Sequence, residues 1–222
     1  MTTINHYLQV AMMQTNTPDA QSMKTLTVLL PGGALPKALL AKVSELSGRF
    51  AFEVYLSTAQ NLRLYGIAPD DLEPLKAELA PLKVRFKEPG RFPLPRICIG
   101  RRSCNLGIID TMALSDLLLA RFGETAVKPK LKIAIAGCPA SCANTMLADI
   151  GLVATRQGLD LYVGGKGGPQ PRVGRRVLRQ ASDEEALAAI GRIVEFHNLH
   201  TAKKQRLLKL IDEAGFPFPG EV

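Results

Sequence analysis

The succession of apolar segments predicts an α+β chain in two parts. Up to about residue 88 the pattern is strand, helix, strand, strand, helix, strand, and after a Pro-rich stretch an α/β unit leads into C-terminal helices. The second part also holds every cysteine of the chain: Cys98, Cys104, Cys138 and Cys142.

Residues 1–24 read as a polar leader without a sustained period, lacking the basic start and apolar centre of a secretory signal. LTVLL (26–30) has the β-branched, apolar make-up of a strand. Pro36 opens a helix through Leu46, and Gly48 lies just past its end, where proline and glycine suit a helix start and stop. FAFEVYLS (50–57) alternates as a strand does, and LRLYGI (62–67) is a second. Pro69 starts another helix, with Asp70 and Asp71 in the first turn, where the helix dipole favours negative charge. KVRF (83–86) closes the unit as a fourth strand. That order is the ferredoxin-like split βαβ arrangement, spanning 25–88. EPGRFPLP (88–95) then reads as a linker.

The second unit, 96–200, has a helix over 110–123 with Met112, Leu114, Leu117, Leu118 and Phe122 apolar, ended by Gly123. KLKIAIAG (130–137) is apolar enough for a central strand. Pro139 suits the first turn of a helix to Leu147, which would aim its N–H groups at the cysteine pair. Strands follow at 150–155 and 159–164, joined at Gly158. Ser182 and Glu185 form a capping box for a helix with Leu187, Ile190, Ile193 and Val194 on one face. A last helix is expected over 202–214, within a C-terminal segment of 201–222.

Composition is ordinary for a globular chain, with 46% hydrophobic and 22% charged residues, and no apolar run is long enough to span a bilayer. Lys plus Arg exceed Asp plus Glu by 28 to 20, a net charge of +8, which fits an acidic partner or simply keeps the chain in solution. Aromatics make up only 5% and Trp is absent, so material for stacking on single-stranded nucleic acid is scarce.

The cysteines form Cys-x5-Cys and Cys-x3-Cys pairs separated by one helix-length and one strand-length segment. Such spacing can gather four thiolates at one point. Structural zinc sites favour two to four intervening residues, so the first pair fits zinc poorly. An iron–sulfur cluster tolerates varied spacing and takes four thiolates. Two disulfides, or free thiols, are the remaining readings.

Cys-x5-Cys followed by IAGCPASC and LADIGLV resembles the sirohaem-binding half-domain of the sulfite and nitrite reductase family, and STAQNLRLYGI (57–67) resembles that family's other recurring piece. The resemblance covers about residues 25–200 and is closest to the small assimilatory-type sulfite reductases. It implies a [4Fe–4S] cluster on Cys98, Cys104, Cys138 and Cys142, with Cys142 also bridging to the sirohaem iron. It implies catalytic roles for Cys142, Lys130, Lys132 and Arg101. Sirohaem is fringed with carboxylates, and the implied cofactor-binding residues are Gln60, Arg101, Arg102, Lys166, Arg172, Arg175 and Arg176. The implied reaction is reduction of sulfite, or of nitrite, with electrons from a low-potential donor such as a ferredoxin. A non-catalytic iron–sulfur electron-transfer subunit is the competing reading.

Two departures stand out. Longer family members carry two copies of the paired unit, whereas this chain has one, and a homodimer would restore the pair. The arginine that catalytic halves place before the glutamine is Ala59 here. Neither a membrane nor a nucleic acid is expected as partner, and the thiolates suit the reducing cytoplasm.

Other motifs carry less. GGKGGPQP (164–171) fails the Walker pattern because Gly167 follows Lys166, and it reads as a hairpin end or a loop closing over the macrocycle. His197 and His200 read as a helix-surface pair rather than a metal site. The basic run RVGRRVLR (172–179) lacks the recognition helix or aromatic array of a nucleic-acid binder.

Overall fold

The structure is a computed structural model that describes residues 23–222. The leader expected before residue 23 lies outside the described residues. The chain divides into two compact units.

The first unit contains Leu35–Ser57, Leu62–Phe86 and the segment up to Val28. Its strands are β1 (Lys24–Leu29), β2 (Glu53–Leu56) and β3 (Asn61–Ile67), in the order β1-β3-β2. β2 and β3 are antiparallel, with Val54 opposite Leu64 and Leu56 opposite Leu62. Helix α1 (Lys37–Ser47) buries Leu39, Val43 and Leu46, and α2 (Leu72–Leu79) buries Leu75 and Leu79. Three- and four-residue spacing places each set on one stripe facing the core. β3 alternates inward Leu62 and Leu64 with outward Arg63 and Tyr65, as a half-buried strand does. Edge strand β2 is exposed at every position.

The fourth strand expected over 83–86 is reduced to one antiparallel bridge, Val28 to Phe86. Lys83 is left-handed at φ 54, after a short 3-10 turn at Ala80–Leu82. Only four residues then remain before Glu88 and Pro89, and proline cannot donate to a ladder.

The second unit comprises Leu29–Ala34, Thr58–Asn61 and Lys87–Val222. Its five-stranded sheet runs β4 (Arg96–Ile97), β5 (Ile133–Ala136), β6 (Ile150–Thr155), β7 (Gly158–Val163) and β8 (Arg175–Ala181) in that spatial order. β4, β5 and β6 are parallel, and β6, β7 and β8 form an antiparallel meander. All of β5 and the first five residues of β6 are buried, the run expected of strands covered on both faces. Helices α3 (Thr111–Phe122) and α4 (Asp183–His200) share one apolar core with these strands. Asp110 caps α3 by accepting from Met112 N and Ala113 N, and the Ser182–Glu185 capping box starts α4. Among the described residues no helix is long and apolar enough to cross a membrane.

Three expectations fail here. The Pro-rich stretch does not float: Phe92 is buried, stacks on Phe122 and donates its N–H to Thr125 O. The helix expected after Cys138 is a chain of turns ending in a 3-10 turn at Thr145–Leu147, because Ser141 and Asn144 take left-handed φ of 53 and 55. The basic run 172–179, for which no element was expected, largely forms strand β8, whose Val177 is buried and whose Arg175 and Arg176 are partly covered. The helix expected over 202–214 is a single 3-10 turn, Leu207–Lys209, in a segment pinned to the body of the unit.

The pin is Asp149, fully buried between the cysteine-bearing connection and β6. Its carboxylate accepts from Lys132 N (2.9 Å), Leu207 N (3.0 Å) and Arg206 Nε (2.7 and 2.8 Å), while Arg206 also donates to Gly165 O at 2.8 Å. Burial pushes the Asp149 carboxyl above its ordinary range, and the Arg206 guanidinium and two backbone N–H groups oppose that push.

Arg206→Met would strand this carboxylate, and unfolding in guanidinium is expected to show a loss of about 3–5 kcal/mol. Asp149→Asn added to Arg206→Met should lose much less than the sum of the two single changes, because the residues share one interaction. Fully buried His197 gives a pH signature, because burial holds its pKa below the ordinary 6.5. The unfolded chain therefore takes up that proton first. Stability present above pH 6.5 is lost as pH falls through the lower folded value. Denaturant midpoints should drop between about pH 7 and pH 5, and His197→Leu should flatten that slope.

Candidate metal centre

Cys98 follows β4 directly, and Cys138 lies two residues beyond the end of β5. The strands are adjacent and parallel, with Arg96 opposite Ala134 and Ile97 opposite Ile135. Both cysteine pairs thus begin at the carboxyl ends of neighbouring parallel strands, the place where open α/β sheets bind ligands.

The two loops are joined through one residue. Gly137 donates its N–H to Cys98 Sγ at 3.1 Å, and its carbonyl accepts from Ile108 N at 2.7 Å. A Cβ on Gly137 would stand 3.0 Å from Gly100 Cα and 3.1 Å from Thr111 Cγ2, so a side chain would press the loops apart. The first loop is wound as closely. Cys98 N donates to Ile135 O, Thr111 Oγ1 donates to Cys98 O at 2.5 Å, and Cys104 N donates to Gly100 O at 3.0 Å. Gly100 is left-handed at φ 59, and a Cβ on Gly107 would lie 2.4 Å from Arg101 N. In the second loop Ser141 N donates to Cys138 O, and the Ser141 and Thr145 hydroxyls are hydrogen-bonded to each other.

All four cysteines are free: Cys138 is buried, Cys98 and Cys104 are partly covered, and Cys142 is exposed. Among the described residues no three His, Cys, Asp or Glu side chains gather as for a single metal ion. A tetrahedral zinc site needs sulfurs about 2.3 Å from one centre. Four thiols on two loops tied by backbone, with no nitrogen or carboxylate donor among them, suit the corners of an iron–sulfur cluster better.

The cations expected at the cofactor sort into two groups. Arg175 donates to Ile211 O and Phe218 O and pairs with Asp212, and Arg176 donates to Val222 O and Asp160. Both are engaged in holding the C-terminal segment. Gln60 is likewise engaged, through Ile97, and is not a free polar group. Arg102 pairs through Nε with Asp110, at 3.0 Å, and this pairing with the α3 cap holds the Asp110 carboxyl below its ordinary range. Arg101 is exposed between Cys98 and Cys104, with no ion pair among the described residues. Lys166 and Arg172 exchange backbone hydrogen bonds that extend the β7–β8 hairpin, leaving their side chains uncommitted by that bridge.

Lys130 and Lys132 precede β5, whereas Cys138 follows it, so roughly 13 Å of strand separates the two ends. Around Lys132 the field is cationic. Burial lowers its pKa first, and then the charges of Arg206, Arg96 and Lys130, with only Asp149 opposing. His197, read as a surface residue, is buried in the core, and His200 stacks on Phe196. The missed residues of the centre are Gly137, Gly107 and Thr111. Only the Gly directly before Cys138 carried a sequence signal.

Comparison with known proteins gives a consistent picture. The family described as nitrite and sulphite reductase 4Fe-4S domain matches residues 94–217, and the nitrite/sulfite reductase ferredoxin-like half domain matches 18–82. An assimilatory-type sulfite reductase of Nitratidesulfovibrio vulgaris is 28% identical over 186 residues, covering 83% of this chain and 85% of that one. A nitrite reductase [NAD(P)H] of Emericella nidulans is 25% identical over 82% of this chain, but the match spans only 17% of the relative. The crystal structure of dissimilatory sulfite reductase I shares the fold, with a TM-score of 0.75 over 87% of this chain and 67% of that chain, at 14% identity. With more than half its length matched to the 4Fe-4S domain, the chain belongs to the nitrite and sulphite reductase family of oxidoreductases.

Proposed function

We propose that the chain reduces sulfite at a sirohaem joined through the Cys142 thiolate to a [4Fe–4S] cluster held by Cys98, Cys104, Cys138 and Cys142. The observation that carries this reading is the joining of both cysteine loops at Gly137, at the carboxyl ends of β4 and β5. The cluster and macrocycle, when bound, would supply the electrons and the iron at which the substrate is reduced. The protein supplies the rest. Three cysteines lie in covered or partly covered loops, while exposed Cys142 is the thiol best placed to be shared with a second group.

Sulfite is anionic, and its oxygens leave as water only if protons reach them. Arg101 would draw the anion toward the centre, and Lys166 and Arg172 would meet carboxylates of the macrocycle. Lys132, whose lowered pKa makes it a readier proton donor, stands with Lys130 at the end of β5 away from Cys138, so a proton it supplied would have to be relayed to the centre. Sulfite is preferred to nitrite because the relative of matching length is named a sulfite reductase, while the nitrite reductase relative is several times longer. Electrons would come from an external low-potential donor such as a ferredoxin, in the reducing cytoplasm.

An anaerobic preparation with cofactor supply should show a haem-type Soret band over broad cluster absorbance, and it should consume sulfite in preference to nitrite with a reduced donor. Cys142→Ser should displace the Soret band and lower sulfite consumption by about a hundredfold or more. A colourless protein without iron and sulfide would overturn the assignment. Unchanged spectrum and rate in Cys142→Ser would overturn the role of that residue.

A further inference from the structure

We infer that Gln60 is a positioning residue for Cys98, its side-chain amide standing in for a strand on the open edge of β4. The inference rests on the cluster reading above for its functional consequence, but not for its geometry.

β4 is the outermost strand of its sheet and only two residues long. Cys98 N turns toward β5 and donates to Ile135 O. Ile97 has no neighbouring strand for its own N–H and carbonyl, yet it is 3% exposed. Buried backbone groups without partners are costly, so something must pair them. Gln60 pairs both: Nε2 donates to Ile97 O at 2.7 Å, and Oε1 accepts from Ile97 N at 2.9 Å. One planar amide thus reproduces both bonds of a ladder rung and leaves a single N–H.

The brace is built in. Gln60 sits at φ 61, a left-handed conformation uncommon for a residue with a side chain. The turn at Pro31–Gly33 lies against it: a Cβ on Gly33 would be 3.4 Å from Gln60 Cβ, and one on Gly32 would meet Ile97 Cδ1 at 2.8 Å and Met112 Cε at 2.5 Å. These glycines let two turns, Leu29–Ala34 and Thr58–Asn61, lie over β4 within the second unit. Ile97 is bonded to Cys98, so the brace sets where the Cys98 sulfur meets Gly137 N.

The test compares wild type with Gln60→Ala and Gln60→Glu. The second change keeps the shape but sets a carboxylate oxygen against Ile97 O. In the reconstituted holoprotein both variants should lose iron to a chelator about tenfold faster, and both should show an altered paramagnetic resonance signal of the reduced cluster. Before reconstitution, hydrogen exchange at the Ile97 amide should be about tenfold faster, with the core amides of β6 unchanged. A signal identical to wild type in both variants, or unaltered Ile97 exchange, would overturn the inference. So would iron loss that merely tracks global unfolding. A wild-type chain that takes up no iron would refute the cluster reading, and the Ile97 exchange would still decide whether Gln60 braces β4.

Discussion

The centre depends on a close approach of the two cysteine loops at Gly137, where a side chain would crowd Gly100 and Thr111. Gly137 touches Gly100 and serves both cysteine loops at once, with its N–H on the Cys98 sulfur and its carbonyl on Ile108 N. Any side chain there would have to displace Gly100 or Thr111, both of which are packed against the backbone of the first loop. Were Cys98 to hold a cluster, the contact that joins the loops would also be a hydrogen bond to a cluster sulfur, one of the features that set a cluster's potential.

That contact explains why the parallel half of the sheet matters more than its antiparallel half. Parallel pairing brings the ends of β4 and β5 to one side, so residues 40 positions apart in sequence, Cys98 and Cys138, start from neighbouring points. The return to β6 must then cross the sheet without a helix, through the left-handed turns at Ser141 and Asn144. Those turns keep Cys142 exposed while Ala143 and Thr145, just after it, are buried. Asp149 closes the crossing by fastening its end to Lys132, Leu207 and Arg206.

Much of this was legible before the coordinates. Helix α3 and the Ser182–Glu185 box were visible because their signals are local: period, cap and glycine stop. Strands β5, β6 and β7 were visible because buried β-branched runs are short and bounded by turns. What failed depended on distant partners. Pro139 suggests a helix start, but the backbone follows Ser141 and Asn144 into the left-handed region instead. The 201–222 segment has helical composition, yet Arg206 and Leu207 bind the buried Asp149 some 57 positions away and the helix shrinks to one turn. Strand β8 was hidden by its arginines, two of which pair with carboxylates on other segments. Gln60 was singled out from the sequence, but its partner is the backbone of Ile97, and backbone leaves no trace in composition.

The charge surplus can be divided on the same grounds. A net +8 suggests a surface waiting for anions, yet a guanidinium bound to carbonyls and a carboxylate within its own unit is no longer free to recruit one. Arg175, Arg176 and Arg206 are of this kind, each fastening the C-terminal segment or the end of the cysteine connection. Removing the charge of Arg206 or Arg176 would loosen the fold, because Asp149 and Asp160, which they satisfy, are buried. Arg101, Lys166 and Arg172 hold no such ion pair among the described residues. Attraction for an anionic ligand therefore resides in a small share of the basic residues. That share follows from each side chain's competing partners and could not be obtained by counting charges.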